Sequence, residues 1–313
     1  MKWRVLVSAP YFIPVIDEYQ QKLSKDGIEL IAAKVKERLS ENELLEVIGD
    51  IDGIICGDDR ITERVLDAAP RLKAISKWGT GIDSIDSDAA ARRGIPVFRT
   101  TNAFSEPVAD TVLGYLLTFA RKLPFMDQDI RGGTWKKPHL VSLGECALGI
   151  VGVGDCGKAV VRRAKAFGMR LLGNDIVEIP KDFVAESGIQ MVSLETLLSE
   201  SDFVSLNTDL NSTSYHLIGK DQLNLMKPTA HLINTSRGPI VDEPALIAAL
   251  QEKRIAGAAM DVFEEEPLPA NSPLRQLDNC MLAPHNANSS PRAWDFVHEN
   301  TVRNLLNGLR AAE

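Results

Sequence analysis

The chain of 313 residues has few cysteines and no long apolar segment. Its four cysteines, Cys56, Cys146, Cys156 and Cys280, form no CxxC pair and have no histidine at metal-ligand spacing. This predicts neither disulfides nor zinc, and we expect no other metal site. No apolar run is long enough to cross a bilayer, and the start of the chain lacks a signal-peptide core with a cleavage site. We therefore expect a cytoplasmic globular protein without a membrane partner.

An excess of basic residues is also absent. Lys and Arg together number 35 against 43 Asp and Glu, which gives a formal net charge of -8. This balance argues against nucleic acid or an anionic membrane as a general partner, so an acidic ligand would need local basic side chains. Because the length exceeds what one hydrophobic core usually supports, we expect two domains.

Short apolar runs alternate with polar, helix-like stretches, which is typical of parallel sheets with crossover helices. The first series of runs predicts strands at residues 4–8, 51–56, 72–76 and 95–98. A second series predicts six more, at residues 147–151, 170–174, 203–207, 230–234, 256–260 and 281–283. We therefore predict an α/β fold with two doubly wound parallel-sheet domains. A helix at 106–121, apolar on nearly every side, separates the two series, and Ser290 and Pro291 open a last amphipathic helix.

The strongest single motif is a glycine fingerprint at residues 147–157 (ALGIVGVGDCG), where a strand turns into a helix. Gly152 permits the tight turn, Gly154 lets a pyrophosphate approach the backbone, and Gly157 lets helix and strand pack closely. The next strand ends in Asp175, where a carboxylate can accept both ribose hydroxyls and would repel a 2′-phosphate. Strand, glycines and acid together predict NAD as the cofactor rather than NADP.

Reactive side chains follow several predicted strands, at the edge of a parallel sheet where ligands bind. Arg237 can hold a carboxylate or ketone in a fixed fork, and His285 can exchange a proton near neutral pH. One of three glutamates at 264–266 could pair with His285 and favour its imidazolium form. Gly79 and Gly81, on either side of Thr80, could bind a carboxylate through backbone N–H groups. These groups suit hydride transfer between NAD and a small 2-hydroxy or 2-keto acid.

Four motifs together resemble the D-isomer-specific 2-hydroxyacid dehydrogenases, especially the short phosphoglycerate dehydrogenase-like members. They are the glycine fingerprint with Asp175, KWGTGIDSID at 77–86, INTSRGPIVDE at 233–243, and GAAMDVFEEEP at 257–267 followed by APH at 283–285. The resemblance implies that Arg237 binds the substrate, that His285 is the acid-base and that Glu266 pairs with His285. It also implies that the cofactor is lined by Asp155, Cys156, Thr208, Thr235 and Asp261.

The resemblance also implies the domain organisation. A Rossmann NAD-binding domain at 101–283 is expected to be inserted into a flavodoxin-like substrate domain made of 1–100 and 284–313, to which the last helix returns. The helix after Glu106, with RGGTW at 131–135 beyond it, resembles the dimer-forming segment of the family, so we expect a homodimer. No regulatory domain is expected.

The substrate itself stays open at this stage. Lys77 occupies a position that is basic in some phosphoglycerate-type members, which suggests 3-phosphoglycerate or another dianionic acid; a solvated lysine at the pocket rim is the alternative. Phosphite or formate oxidation is a second enzymatic hypothesis. A third is a non-enzymatic NAD-sensing corepressor, since proteins of that kind share the fold and the same catalytic residues.

Overall fold

The computed structural model describes residues 3–312, and its chain folds as two compact units. The first consists of Met1–Ala103 and Ser290–Glu313, and the second of Phe104–Ser289. The first unit is thus built from both ends of the chain. The domain boundaries predicted from the sequence, near residues 100 and 283, lie a few residues before these points.

The first unit alternates strands and helices along its N-terminal part. Its elements are β1 (Trp3–Val7), α1 (Ile16–Leu23), β2 (Ile28–Ala32), α2 (Glu41–Val47), β3 (Gly53–Cys56), α3 (Glu63–Asp67), β4 (Ala74–Lys77), α4 (Ser87–Arg92) and β5 (Val97–Phe98). The strands pair in the order β2-β1-β3-β4-β5, and every pair is parallel. All four residues of β3 and of β4 are buried, as expected for the central strands of a sheet covered on both faces.

The second unit begins with two helices and continues with a longer sheet. Its elements are α5 (Ser105–Arg121), α6 (Leu123–Arg131), β6 (Ala147–Val151), α7 (Asp155–Ala166), β7 (Arg170–Asn174), α8 (Lys181–Ser187), β8 (Gln190–Met191), α9 (Leu194–Glu200), β9 (Phe203–Leu206), α10 (Lys220–Leu225), β10 (His231–Asn234), α11 (Glu243–Gln251), β11 (Gly257–Met260) and β12 (Cys280–Leu282). The order is β12-β11-β10-β9-β6-β7-β8, all parallel. The strand order therefore reverses at β6, and the crevice beside its carboxyl end is where such sheets bind ligands.

Two strands were not predicted from the sequence. The second sheet has seven strands among the described residues rather than six, because β8 pairs with β7 although both of its residues are exposed. In the first sheet β2 was missed. It is an edge strand whose residues are mostly half-buried, although its sequence IELIA is largely apolar. The predicted class, two parallel-sheet α/β domains, is confirmed.

The last helix, α12 (Pro291–Ala311), belongs to the first unit and packs on its sheet. Its buried face fits against β3, because a Cβ on Gly53 would lie 2.9 Å from Leu305 Cδ1. The Ser76 hydroxyl of β4 donates to the Thr301 carbonyl at 2.8 Å. Within residues 3–312, none of the helices combines the length and apolar character needed to cross a bilayer.

Candidate active site

The turn from β6 to α7 is built from glycines with different steric requirements. Gly152 has a φ of +86°, and a Cβ there would lie 2.8 Å from the Asn207 backbone. A Cβ on Gly157 would lie 2.1 Å from the Gly152 carbonyl oxygen, so α7 can begin this close to β6 only with glycine. A Cβ on Gly154 would meet no described atom within 4 Å. The chain therefore leaves space over the middle glycine, where a ligand can approach the backbone.

The start of α7 suits an anionic group. No side chain caps this helix at Gly154, so the N–H groups of its first turn point outward with the positive end of the helix dipole. On the same edge of the sheet, at the end of β10, the buried Thr235 hydroxyl has no hydrogen-bond partner among residues 3–312. An open glycine, an uncapped helix start and an unpaired buried hydroxyl fit a dinucleotide.

Asp175 lies beside this turn, directly after β7. Its Oδ2 accepts the Val153 N–H at 2.7 Å and its Oδ1 accepts the Val177 N–H at 3.0 Å. The carboxylate thus joins the glycine turn to the end of β7. This is the position at which the sequence predicts contact with the ribose hydroxyls.

Three other predicted cofactor residues surround the turn. Asp155 is exposed at the first position of α7, and Cys156 is half-buried behind it. The Cys156 thiol donates to Ser105 Oγ at 3.7 Å, and burial raises its pKa, so it is not a reactive thiolate at neutral pH. Thr208 follows β9, and its hydroxyl makes a long contact of 3.4 Å with the Asp209 carbonyl.

The loop after β10 carries Arg237 and is held by a buried amide. The Asn234 side chain donates to the Arg237 carbonyl at 2.8 Å and accepts the Ser236 N–H at 3.1 Å, so it bonds to both sides of the turn. Arg237 is half-buried, and its Nη1 donates to the Ser236 carbonyl at 2.9 Å. Asn234 was not predicted as a site residue, although an Asn that ends a predicted apolar strand is a sequence signal of such a role. In the structure it is fully buried and hydrogen-bonded.

His285 and Glu266 form a pair at the end of the same sheet. The distance from His285 Nδ1 to Glu266 Oε2 is 2.9 Å, and both side chains are largely buried. Glu266 Oε1 accepts the Phe263 N–H at 2.9 Å, which fixes the carboxylate from its other side. Of the three glutamates at 264–266, Glu266 is the one that contacts His285.

Asp261 holds the segment that contains His285. Its two carboxylate oxygens accept the N–H groups of Asn286 and Ala287 at 3.0 and 2.8 Å, and its carbonyl accepts the His285 N–H at 2.7 Å. His285 has a φ of +51°, a left-handed conformation that costs a non-glycine residue about 1 kcal/mol. Burial raises the pKa of Asp261, while the two backbone N–H groups oppose this shift. Asp261 therefore fixes the backbone that carries His285, while Glu266 contacts the imidazole itself.

In the first unit, the predicted substrate residues follow β4. Lys77 is 3% exposed, and its ammonium donates to the Gly57 carbonyl at 2.5 Å and to Asp58 Oδ1 at 2.6 Å. Gly79 has a φ of +128° and accepts the Thr100 N–H at 2.8 Å. The Thr80 hydroxyl donates to the Thr100 carbonyl at 2.7 Å. Gly81 is half-buried in the same turn, which is thus fixed by bonds to residue 100.

The family model of the D-isomer specific 2-hydroxyacid dehydrogenase, NAD binding domain, matches residues 113–287, more than half of the chain. The chain belongs to the D-isomer-specific 2-hydroxyacid dehydrogenase family. It is an NAD-dependent dehydrogenase, as the glycine fingerprint, Asp175 and the strand-end motifs predicted.

Curated relatives and solved structures agree with this assignment. The chain is 43% identical over 274 residues to a glyoxylate reductase of Korarchaeum cryptofilum, with 85% of this chain and 82% of the relative covered. It is 37% identical to the D-3-phosphoglycerate dehydrogenase of Methanocaldococcus jannaschii, over 87% of this chain and 53% of that longer protein. The D-lactate dehydrogenase of Aquifex aeolicus, solved with NAD and lactic acid, superposes with a TM-score of 0.89 at 27% identity, covering 98% and 97% of the two chains.

Proposed function

We propose that this dehydrogenase uses NADH to reduce a small, unphosphorylated 2-keto acid of the glyoxylate class to the corresponding D-2-hydroxy acid or, for glyoxylate itself, to the achiral hydroxy acid. The observation that supports the chemistry is the His285–Glu266 pair, whose atoms lie 2.9 Å apart at the ligand-binding edge of the sheet. The substrate class is supported by the bonding of Lys77 and by the glyoxylate reductases among the relatives.

Each residue of the second unit has a role in this proposal. When bound, NADH supplies the hydride that attacks the carbonyl carbon of the keto acid. Arg237 binds the substrate carboxylate and polarises the ketone with a cation that does not lose its proton. His285 donates the proton that the new alkoxide needs, from Nε2, because Nδ1 bonds to Glu266. The Glu266 carboxylate stabilises the imidazolium before transfer.

The contacts of Lys77 support the proposal that the substrate carries no phosphate. A phosphorylated acid brings two further negative charges, which proteins bind with basic side chains. The Lys77 ammonium is buried against the Asp58 carboxylate, and that pair has no net charge. We therefore propose that Lys77 orders the loop after β3 instead of binding a phosphate.

An assay of NADH consumption against glyoxylate, hydroxypyruvate, pyruvate and 3-phosphohydroxypyruvate tests the proposal. We expect kcat/KM for the best unphosphorylated acid to exceed that for the phosphorylated one by about tenfold or more, a difference of roughly 1.4 kcal/mol. Lys77→Met should lower stability without changing this preference. A preference for 3-phosphohydroxypyruvate that Lys77→Met abolishes would refute it. NAD reduction by phosphite or formate, measured in parallel, would point to the second enzymatic hypothesis.

We further propose a homodimer formed through residues 123–141. This segment exposes a run of large apolar side chains, of which Trp135 is 81% and Leu123 60% exposed. Large apolar side chains that are exposed within one short segment are typical of a protein interface. The other members are Phe125, Ile130 and Val141. By contrast, α5 packs against α7 and the core of its own unit.

Light scattering at micromolar concentration tests the dimer. The wild type should have twice the chain mass, and Leu123→Asp combined with Trp135→Asp should give monomers. Phe167→Asp, which changes an exposed aromatic residue outside the segment, is the matched control and should stay dimeric. A wild-type protein of monomeric mass contradicts the proposal.

A further inference from the structure

A second group of ionisable side chains lies next to the His285–Glu266 pair. Glu264 Oε1 accepts the Glu243 N–H, and Glu243 Oε2 accepts the Glu264 N–H, both at 3.2 Å. Each glutamate thus bonds to the backbone of the other. Glu264 Oε1 also lies 2.8 Å from His216 Nε2. We call Glu243, Glu264 and His216 the glutamate clamp.

The glutamate clamp joins the two loops that carry the proposed catalytic side chains. Glu243 is the first residue of α11, which follows the Arg237 loop, and Glu264 precedes Glu266 by two residues. The two loops touch directly, since a Cβ on Gly238 would lie 1.9 Å from the Phe263 carbonyl carbon. Reciprocal hydrogen bonds therefore fix the relative position of two backbones that are already in contact.

Glu264 is connected to the His285–Glu266 pair through one residue. Phe263, its neighbour in the chain, donates its N–H to Glu266 Oε1, and Glu266 Oε2 contacts His285 Nδ1. A shift of the Glu264 backbone moves the Phe263 N–H and hence the carboxylate that orients the imidazole. Misplacement of a catalytic group by about 1 Å is enough to lower turnover by up to roughly a hundredfold.

His216 connects a third segment to these loops. Its backbone N–H donates to the Pro239 carbonyl at 2.8 Å, and its φ of +49° is unusual for a non-glycine residue. The ring of Tyr215 stacks on the imidazole at 4.0 Å. Burial raises the pKa of Glu243, and the neighbouring charges of Glu264 and Glu265 act in the same direction, while the Glu264 N–H lowers it. The carboxylate of Glu264 thus bonds to the Glu243 N–H and contacts the His216 ring, which joins three segments at one side chain.

We propose that the glutamate clamp consists of positioning residues for the dehydrogenase reaction, which hold the Glu266 carboxylate against His285 by fixing the backbone at Glu264. The inference rests on the proposed roles of His285 and Glu266. The clamp touches neither substrate nor cofactor in this proposal. Its effect on turnover passes through Glu266 alone.

Steady-state kinetics of clamp variants test this inference. Glu264→Ala should lower kcat about tenfold while the KM for the keto acid and the Kd for NADH stay unchanged. Glu264→Gln keeps an oxygen acceptor for the Glu243 N–H and should stay within about twofold of the wild type. Glu265→Ala is the matched control, because Glu265 is exposed on the same loop, and it should have normal kcat. If Glu264→Ala does not fold, Glu243→Ala is used instead, because it removes the carboxylate that accepts the Glu264 N–H.

A double-mutant cycle separates positioning from a general structural effect. In a Glu266→Gln background, Glu264→Ala should cause no further loss of kcat, because the group on which it acts is already changed. Three results would each overturn the inference. The losses of kcat from the two single variants could multiply in the double variant, Glu264→Ala could keep the full kcat, or Glu264→Gln could lower kcat as much as Glu264→Ala. Normal turnover in Glu266→Gln itself would instead refute the proposed catalytic pair.

Discussion

At the scale of single residues, the site depends on side chains whose bonds to backbone groups set the direction of other side chains. Asp261 accepts two N–H groups and holds His285 in a left-handed conformation. The Asn234 side chain fixes the Arg237 turn by bonding to the backbone on both of its sides. Motifs in the sequence identified Arg237, Glu266 and His285 as reactive residue types. They did not show which buried neighbours place them, because those hydrogen bonds exist only in the folded chain.

Asp175 should control both the affinity for NADH and the discrimination against NADPH. Asp175→Ala removes a charge that repels a 2′-phosphate and an acceptor for the Val153 N–H. We expect NADH binding to weaken about tenfold and the preference over NADPH to shrink by a similar factor. Fluorescence titration with both cofactors measures this, with Asp182→Ala, an exposed aspartate on α8, as the control. Unchanged discrimination would contradict the predicted role of Asp175.

His231 should make stability depend on pH. Its ring stacks on Phe119 and Phe203, at 4.3 and 5.5 Å, and burial lowers its pKa from 6.5 to about 4. Between these values the unfolded chain binds a proton that the folded chain does not, so the free energy of unfolding falls as pH falls from about 6.5 to about 4. The loss attributable to this group is at most roughly 3 kcal/mol.

Urea unfolding at several pH values checks this expectation with His231→Phe, which keeps the ring stack and removes the titration. The stability of the wild type should fall more steeply below pH 6.5 than that of the variant. Parallel curves for the two proteins would show that His231 does not titrate differently in the folded chain.

At the scale of elements, the turn from β6 to α7 gives two glycine substitutions with opposite expected effects. Gly157→Ala places a methyl group 2.1 Å from the Gly152 carbonyl oxygen, so we expect a loss of about 1–3 kcal/mol in unfolding free energy. Gly154→Ala meets no described atom within 4 Å and should fold normally, yet weaken NADH binding by blocking the approach of the pyrophosphate. Thermal unfolding and NADH titration separate the two. Equal effects of both variants would contradict this account of the turn.

The elements that were predicted best from the sequence are the strands buried in the centre of each sheet. Strands β3, β4, β6 and β9 are fully buried, and each was predicted from a short, mainly apolar run. β2 and β8 lie at sheet edges. β8 has only two residues, both exposed, so its position depends on tertiary contacts that no local pattern contains. β2 was missed although four of its five residues are apolar.

The glutamate clamp shows the same limit within the site. The run of three glutamates at 264–266 was visible in the sequence, but not the different role of each. Glu264 bonds to Glu243 and His216, Glu265 is exposed, and Glu266 contacts His285. No motif in the sequence indicates a role for His216, because its partner Glu264 is 48 residues away in the chain.

At the scale of the whole molecule, the fold brings together the carboxyl ends of β6, β7, β9, β10 and β11 in one sheet. The glycine turn, Asp175, Arg237 and Asp261 follow four of these strands, and His285 follows β12 next to them. Residues far apart in sequence thus reach one edge because parallel strands all end on the same side. The family and its NAD chemistry were predictable from the motifs for this reason. The pairing of Lys77 with Asp58, which supports the proposed substrate class, exists only in the folded chain and could not be predicted.

The central claim, that His285 is the proton donor of an NADH-dependent reduction, is tested most directly by comparing the wild type with His285→Ala on the best keto acid of the panel. The account predicts that turnover falls by roughly a hundredfold to ten-thousandfold while NADH binding stays within about twofold. Near-normal turnover in the variant would contradict it and would require another acid in the site.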